Sequence, residues 1–165
     1  MAQRVLVMGT LARSLVNFRG ALLQALRQRG HEVVAAAAAD GSSTEVGRQL
    51  LQWGVNFEPV ALARGGTNPL ADAAAVLAIR RLYRRVRPDV VLAYTIKPVV
   101  YGGIAARLAD VPRSYPLITG LGYAFMEGGG LKRRMVRAVA EQLYRRSLSG
   151  GGCQDRCRLF HAQAA

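Results

Sequence analysis

The feature that most limits how this chain can fold is an alternation of short apolar runs with amphipathic stretches. Arg4-Val5-Leu6-Val7-Met8-Gly9 is apolar at consecutive positions and stops at a glycine. A strand with that pattern is buried on both faces, as in a parallel sheet. Phe18, Leu22 and Leu26 then recur at every fourth position, with Gln24, Arg27 and Gln28 between them. That spacing predicts an amphipathic helix. Asn17 is placed to cap its start and Gly30 to end it. The cycle repeats, with further strands expected at 31–36, 55–62, 90–94 and 114–118. Further helices are expected at 45–53, 70–86, 99–109 and 131–148. The apolar face of the longest clean helix, 70–86, reads as Leu70, Ala73, Leu77 and Leu82. Pro88 ends it, because the residue before proline avoids the helical region.

Strands and helices that alternate through short links predict an α/β fold. Its core is a Rossmann-like parallel sheet with helices on both faces. Ligands of such sheets bind beyond the carboxyl ends of the strands. The loops to watch are therefore 10–17, 64–69, 95–98 and 119–125; residues 40–47 read as a further loop. A dinucleotide is disfavoured, since Gly9-Thr10-Leu11-Ala12-Arg13 has one glycine where that fingerprint needs three. Cys153 and Cys157, with His161 nearby, fall short of the four ligands of a structural zinc site and read as incidental thiols. No metal and no cofactor are expected. His31 follows Gly30 at a helix-to-strand turn, the wrong end of the strand for a catalyst.

Two segments stand at expected strand ends. Thr95-Ile96-Lys97-Pro98 places a cation there, with Pro98 suited to a helix's first turn. Lys97 is able to meet a phosphate or a sugar, or equally to stand in solvent beside a helix cap. Thr119-Gly120-Leu121-Gly122-Tyr123 combines glycines that allow close backbone approach with a flat aromatic face. It suits a stacked sugar, or equally a turn with a packed tyrosine.

Charge adds a partner class. Lys plus Arg number 23 against 10 for Asp plus Glu, a formal net charge of +13. The excess gathers on two helices: Arg80, Arg81, Arg84, Arg85 and Arg87 on one, Lys132, Arg133, Arg134 and Arg137 on the other. Such faces are either solvated or adsorbed to anionic lipid, at about 1 kcal/mol per basic residue. Nucleic acid is not expected, for lack of a helix-turn-helix or of aromatic-basic interleaving. No apolar run reaches the roughly 18 residues of a membrane span. A cytoplasmic protein peripheral to the inner face of the membrane is expected.

Several segments occur in a telling order. They are Ser14-Leu15-Val16-Asn17-Phe18-Arg19, Arg29-Gly30-His31-Glu32-Val33, Asn68-Pro69-Leu70, Arg87-Pro88-Asp89-Val90-Val91-Leu92-Ala93-Tyr94-Thr95-Ile96-Lys97-Pro98, and Ile118-Thr119-Gly120-Leu121-Gly122-Tyr123-Ala124-Phe125. Over about residues 3–149 the chain resembles the N-terminal domain of family-4 glycosyltransferases, in the branch that builds capsule, O-antigen and other lipid-linked glycans. The resemblance implies the N-terminal, acceptor-side half of a GT-B fold. It implies a nucleotide-sugar co-substrate, a UDP-sugar, held by a C-terminal domain with an E-x₇-E motif, and transfer with retention to a lipid-linked acceptor. It implies substrate contacts at Asn17 and Arg19 on the donor side. On the acceptor side it implies Thr95, Lys97, Thr119, Gly120, Gly122 and Tyr123. Thr119 stands where many relatives have a histidine, so no catalytic residue is assigned.

Residues 150–165 lose all periodicity. Read one base later from Gly152, the codons allow an apolar strand, so a frameshift near residues 150–152 is expected. The C-terminal domain is then absent and the fragment inactive alone. The alternatives are a stand-alone membrane-binding module, one that pairs with a separately encoded C-terminal domain, and a truncated UDP-sugar 2-epimerase.

Overall fold

A computed structural model describes residues 1–62 and 69–117. The strands are β1 (Arg4–Leu11), β2 (Glu32–Ala38), β3 (Asn56–Val60), β4 (Val90–Tyr94) and β5 (Arg113–Leu117). They form one sheet in the order β3-β2-β1-β4-β5, with every pairing parallel. The helices are α1 (Ala12–Asn17), α2 (Gly20–Gln28), α3 (Ser43–Gln52), α4 (Pro69–Val86) and α5 (Ile96–Leu108).

The period of two along a strand divides the core in half. Val5 and Val7 of β1, Val33, Ala35 and Ala37 of β2, and Tyr94 of β4 pack with Leu15, Leu23, Val46 and Leu50 of α1, α2 and α3. Leu6 and Met8, Val34 and Ala36, and Val91 and Ala93 pack on the other face with Ile79, Leu82 and Tyr83 of α4 and Val99 and Ala105 of α5. Both faces are covered, so consecutive apolar residues in the strands are all used. Tyr83 is wholly enclosed, its hydroxyl 3.7 Å from Met8 Sδ, and burial pushes its phenol far above the ordinary value.

The structure corrects several expectations. The loop at 10–17 is not a loop: β1 runs on to Leu11 and α1 starts at the next residue. Asn17 is therefore the last residue of α1 and not a cap; Arg19 stands at the N-cap of α2, with no side-chain cap bond. Phe18, at the corner between the two helices, is 75% exposed. The buried positions of α2 are Gly20 and Leu23. The Trp53 ring would lie 3.1 Å from a Cβ at Gly20, so a small residue is needed for that approach.

On α4 the buried residues are Ala75, Ile79, Leu82 and Tyr83, while Leu70 and Leu77 are exposed. Alanines at 71, 73, 74, 75 and 78 surround that helix, so apolarity alone does not mark its inner stripe. The loop at 40–47 is shorter than expected. Asp40 accepts from the Ser42 N–H and hydroxyl at 2.8 and 2.6 Å, and α3 starts at Ser43. Helix α5 begins at Ile96, earlier than residue 99, so Lys97 and Pro98 lie in its first turn. Gly30 does stop α2, at φ +82°. Loop residues 63–68 lie outside the described residues. So do Thr119, Gly120, Gly122, Tyr123, Lys132, Arg133, Arg134, Arg137, the expected helix at 131–148 and the tail at 150–165.

Candidate functional site

The chain leaves β1 in one direction, to β2 and β3, and returns to add β4 and β5 on the other side. In open parallel sheets ligands bind where the winding reverses, at the carboxyl ends of the flanking strands, here β1 and β4. Met8 stands opposite Ala93, which puts Gly9 beside Tyr94 and Thr10 beside Thr95.

The Tyr94 ring lies across Gly9. A Cβ there would meet the ring at 2.3 Å, so the absence of a side chain is what admits it. The phenol sits 2.9 Å from Ser14 Oγ, on α1. The Arg19 guanidinium stacks over the same ring, 4.9 Å from its centroid. Arg19 Nε is buried without a hydrogen-bond partner among the described residues, so the aromatic face is what offsets its desolvation. Burial raises the Tyr94 phenol above its ordinary value, against the pull of the Arg19 charge.

Thr95 joins β4 to α5 as a single residue at φ 69° and ψ 154°. A β-branched residue rarely adopts that conformation, and it stores strain. The turn brings its hydroxyl within 2.6 Å of Thr10 Oγ1 and back onto the Tyr94 carbonyl.

Lys97 lies in the first turn of α5, where the helix dipole disfavours a cation. Asp72, in the first turn of α4, offsets this: its carboxylate is 3.5 Å from Lys97 Nζ. The ammonium also stands 5.8 Å from the Tyr101 ring centroid. Tyr101 shares the same carboxylate; burial and that hydrogen bond push its phenol up to about 12. The sequence reading missed Asp72 and Tyr101. Their signals were there: Asp72 is the one acid on α4, and Tyr101 is four residues beyond Lys97 on one helix face.

Of the expected substrate contacts, Thr95 and Lys97 stand at the start of α5 and Arg19 lies over the Tyr94 ring, while Asn17 is exposed at the end of α1. The expected lipid-facing arginines of α4 differ among themselves. Arg80 Nε donates to the Leu108 carbonyl at 3.0 Å, and Arg85 is ion-paired with Glu58. Arg84 lines a cleft of about 500 Å³ at the opposite end of the sheet, with Arg87, Asp89 and Asp110. Arg81 is exposed. His31 lies at that same far end, its Nδ1 accepting from the Gln3 N–H at 3.2 Å. Among the described residues no three metal-ligating side chains gather, and no helix is long and apolar enough to cross a membrane.

The profile of the glycosyl transferase 4-like domain matches residues 17–148. The chain belongs to that family. It is 25% identical, over 134 residues, to the N,N'-diacetylbacillosaminyl-diphospho-undecaprenol alpha-1,3-N-acetylgalactosaminyltransferase of Campylobacter jejuni. That match covers 81% of this chain and 34% of the relative, so the chain spans about a third of the relative's length. Among solved structures, MurG of Acinetobacter baumannii aligns with a TM-score of 0.56 at 18% identity, over 86% of this chain and 39% of that one. A UDP-N-acetylglucosamine 2-epimerase aligns with 0.57 at 14% identity, over 87% and 37%. These likenesses establish the Rossmann-like domain of GT-B proteins. They do not separate a transferase from an epimerase; the family match favours the transferase.

Proposed function

We propose that this domain forms the acceptor side of a glycosyltransferase that moves a sugar from a UDP-sugar to a lipid-linked acceptor at the membrane surface. The observation that carries the reading is the set of side chains at the β1 and β4 tips. Arg19 lies over the Tyr94 ring, whose phenol meets Ser14, on one face of the sheet; Lys97 stands by Asp72 and Tyr101 on the other; the Thr10 and Thr95 hydroxyls meet at the strand ends. Cations suit the diphosphate of a lipid-linked sugar and hydroxyls suit its carbohydrate. The name of the Campylobacter relative, which specifies a diphospho-undecaprenol acceptor, supports the same class. On this reading Asn17 faces the donor diphosphate, and the loop with Thr119, Gly120, Gly122 and Tyr123 adds to the acceptor side. The UDP-sugar and the acids of E-x₇-E belong to a second domain, in the same or a separate chain. Arg81 and Arg84, with Lys132, Arg133, Arg134 and Arg137, draw the domain to anionic lipid; Arg80 and Arg85 contribute less, being held within the chain.

Vesicle sedimentation tests this. The protein is expected to bind vesicles carrying an undecaprenyl-diphosphate-linked N-acetylhexosamine above matched vesicles without it, and to show no affinity for UDP-N-acetylhexosamine. Lys97→Met should weaken the acceptor-specific part by about tenfold, the worth of a charge-assisted hydrogen bond. Affinity for the UDP-sugar with none for the acceptor lipid would reverse the assignment.

A further inference from the structure

The hydrogens at the β1 and β4 tips can be assigned by counting. A hydroxyl donates one hydrogen and accepts on two lone pairs. Ser14 Oγ donates to the Leu11 carbonyl at 2.6 Å. In its 2.9 Å contact with Tyr94 it is therefore the acceptor, and the phenol is the donor. Thr95 Oγ1 donates to the Tyr94 carbonyl. In its 2.6 Å contact with Thr10 it accepts, and Thr10 donates. The hydrogens of Thr10, Ser14, Tyr94 and Thr95 are thus all engaged within the protein. Lone pairs remain: two on Thr10 and one each on Ser14 and Thr95. All three of these residues are only half-buried.

We propose that Thr10, Ser14 and Thr95 form a rim that only accepts hydrogen bonds, and that it binds a ligand group carrying its own hydrogen, a sugar hydroxyl or an N-acetyl amide. An ionised phosphate oxygen brings only lone pairs, so these three hydroxyls have no hydrogen to offer it. Charge at this edge comes from Lys97, in the first turn of α5, and from Arg19, over the Tyr94 ring. The labour is divided by side chain: the hydroxyls take carbohydrate and the two cations take the anion. This deepens the acceptor-side reading and rests on it for the ligand class. The direction of the hydrogen bonds rests on the geometry alone. Thr10, Ser14 and Thr95 act as specificity residues and perform no chemical step.

The test titrates isotope-labelled full-length chain with methyl N-acetyl-α-D-glucosaminide, with its singly deoxyfluorinated analogues, and with inorganic pyrophosphate. Fluorine cannot donate, so at least one analogue is expected to bind about fivefold more weakly than the parent. The parent should shift amide resonances at residues 9–14 and 95–97. Thr10→Val should weaken the glycoside about fivefold and leave pyrophosphate unchanged, while Thr10→Ser restores the glycoside. Ser14→Ala is the second variant, should Thr10→Val fail to fold.

Three results overturn the proposal: no glycoside response at those amides, equal binding of every fluorinated analogue, or a Thr10→Val loss shared equally by both probes. The vesicle experiment fails or succeeds separately. Thr10-dependent glycoside binding without acceptor-lipid binding removes the lipid-linked reading and keeps the rim. Acceptor-lipid binding that ignores Thr10→Val does the reverse.

Discussion

At the root of the β1–β4 seam, the Asp89 carboxylate and the Arg4 backbone join the two strands; at its tip, the neutral hydroxyls of Thr10 and Thr95 join them. The Arg4 N–H donates to Asp89 Oδ2 at 2.7 Å, the Asp89 N–H returns to the Arg4 carbonyl at 2.9 Å, and Arg4 Nη1 reaches the Val86 carbonyl at 2.7 Å. These bonds tie β1 to the end of α4. The tip keeps lone pairs in reserve, bends Thr95 into a strained conformation and stacks a cation on an aromatic ring. On the proposed reading, the same two strands serve stability at one end and recognition at the other. Backbone strain, present at Thr95 and absent from Arg4 and Asp89, is what separates the two ends.

The largest expected effect tests how tightly the tip is packed. Gly9→Ala drives a Cβ into the Tyr94 ring and should destabilise the fold by about 3 kcal/mol in denaturant unfolding. A loss below about 1 kcal/mol would mean that the ring can move aside, and the tip is then looser than its geometry implies. Asp89→Ala removes a charged acceptor at the root. It should cost about 2 kcal/mol of stability and leave glycoside and pyrophosphate affinity unchanged. A change in either affinity would erase the contrast between the ends.

Thr95→Gly should act in the opposite sense on stability. Releasing φ 69° from a β-branched residue is worth about 1 kcal/mol after the extra chain entropy of glycine is counted, and glycoside binding should weaken at the same time. Gains in both properties would show that the strain has no functional return. The smallest effect is an alkaline one. The Tyr101 phenol lies near 12 in the folded chain, against 10.0 for its ordinary value. Between those values the native state holds a proton that the unfolded state has released, so stability falls as pH rises through the window. Tyr101→Phe should make that decline shallower in melts taken from pH 10 to pH 12. An unchanged slope would leave the decline to Tyr83 and Tyr94, whose phenols are also raised.

Much of this fold was legible because double burial leaves a plain signature. Val90 to Tyr94 reads as a strand at the same five residues in sequence and structure, and the helix at 70–86 differs by one residue at its start. What could not be read was orientation about a helix axis when alanines stand on every side, as on α4. Nor could the sequence announce α1, a six-residue helix that follows β1 without a connecting residue. Its presence makes a helix face, and not a loop, the wall that carries Ser14. Lys97 and Thr95 could be placed at the carboxyl edge of the sheet because they follow a strand. Thr10, Ser14, Tyr94 and Asp72 were not singled out, because their roles come from pairs 80 or more residues apart or from a neighbouring helix.

The join between β4 and α5 is one residue long, and that gives it no slack. A shift of α5 that follows from something touching its first turn must be taken up by Thr95, and passes through the hydroxyl it shares with Thr10 into the end of β1. Helix α5 and the end of β1 are geared to one another at this point. An inserted residue would be absorbed easily at Gly41, in the turn before α3. Placed beside Thr95, it would uncouple the gear.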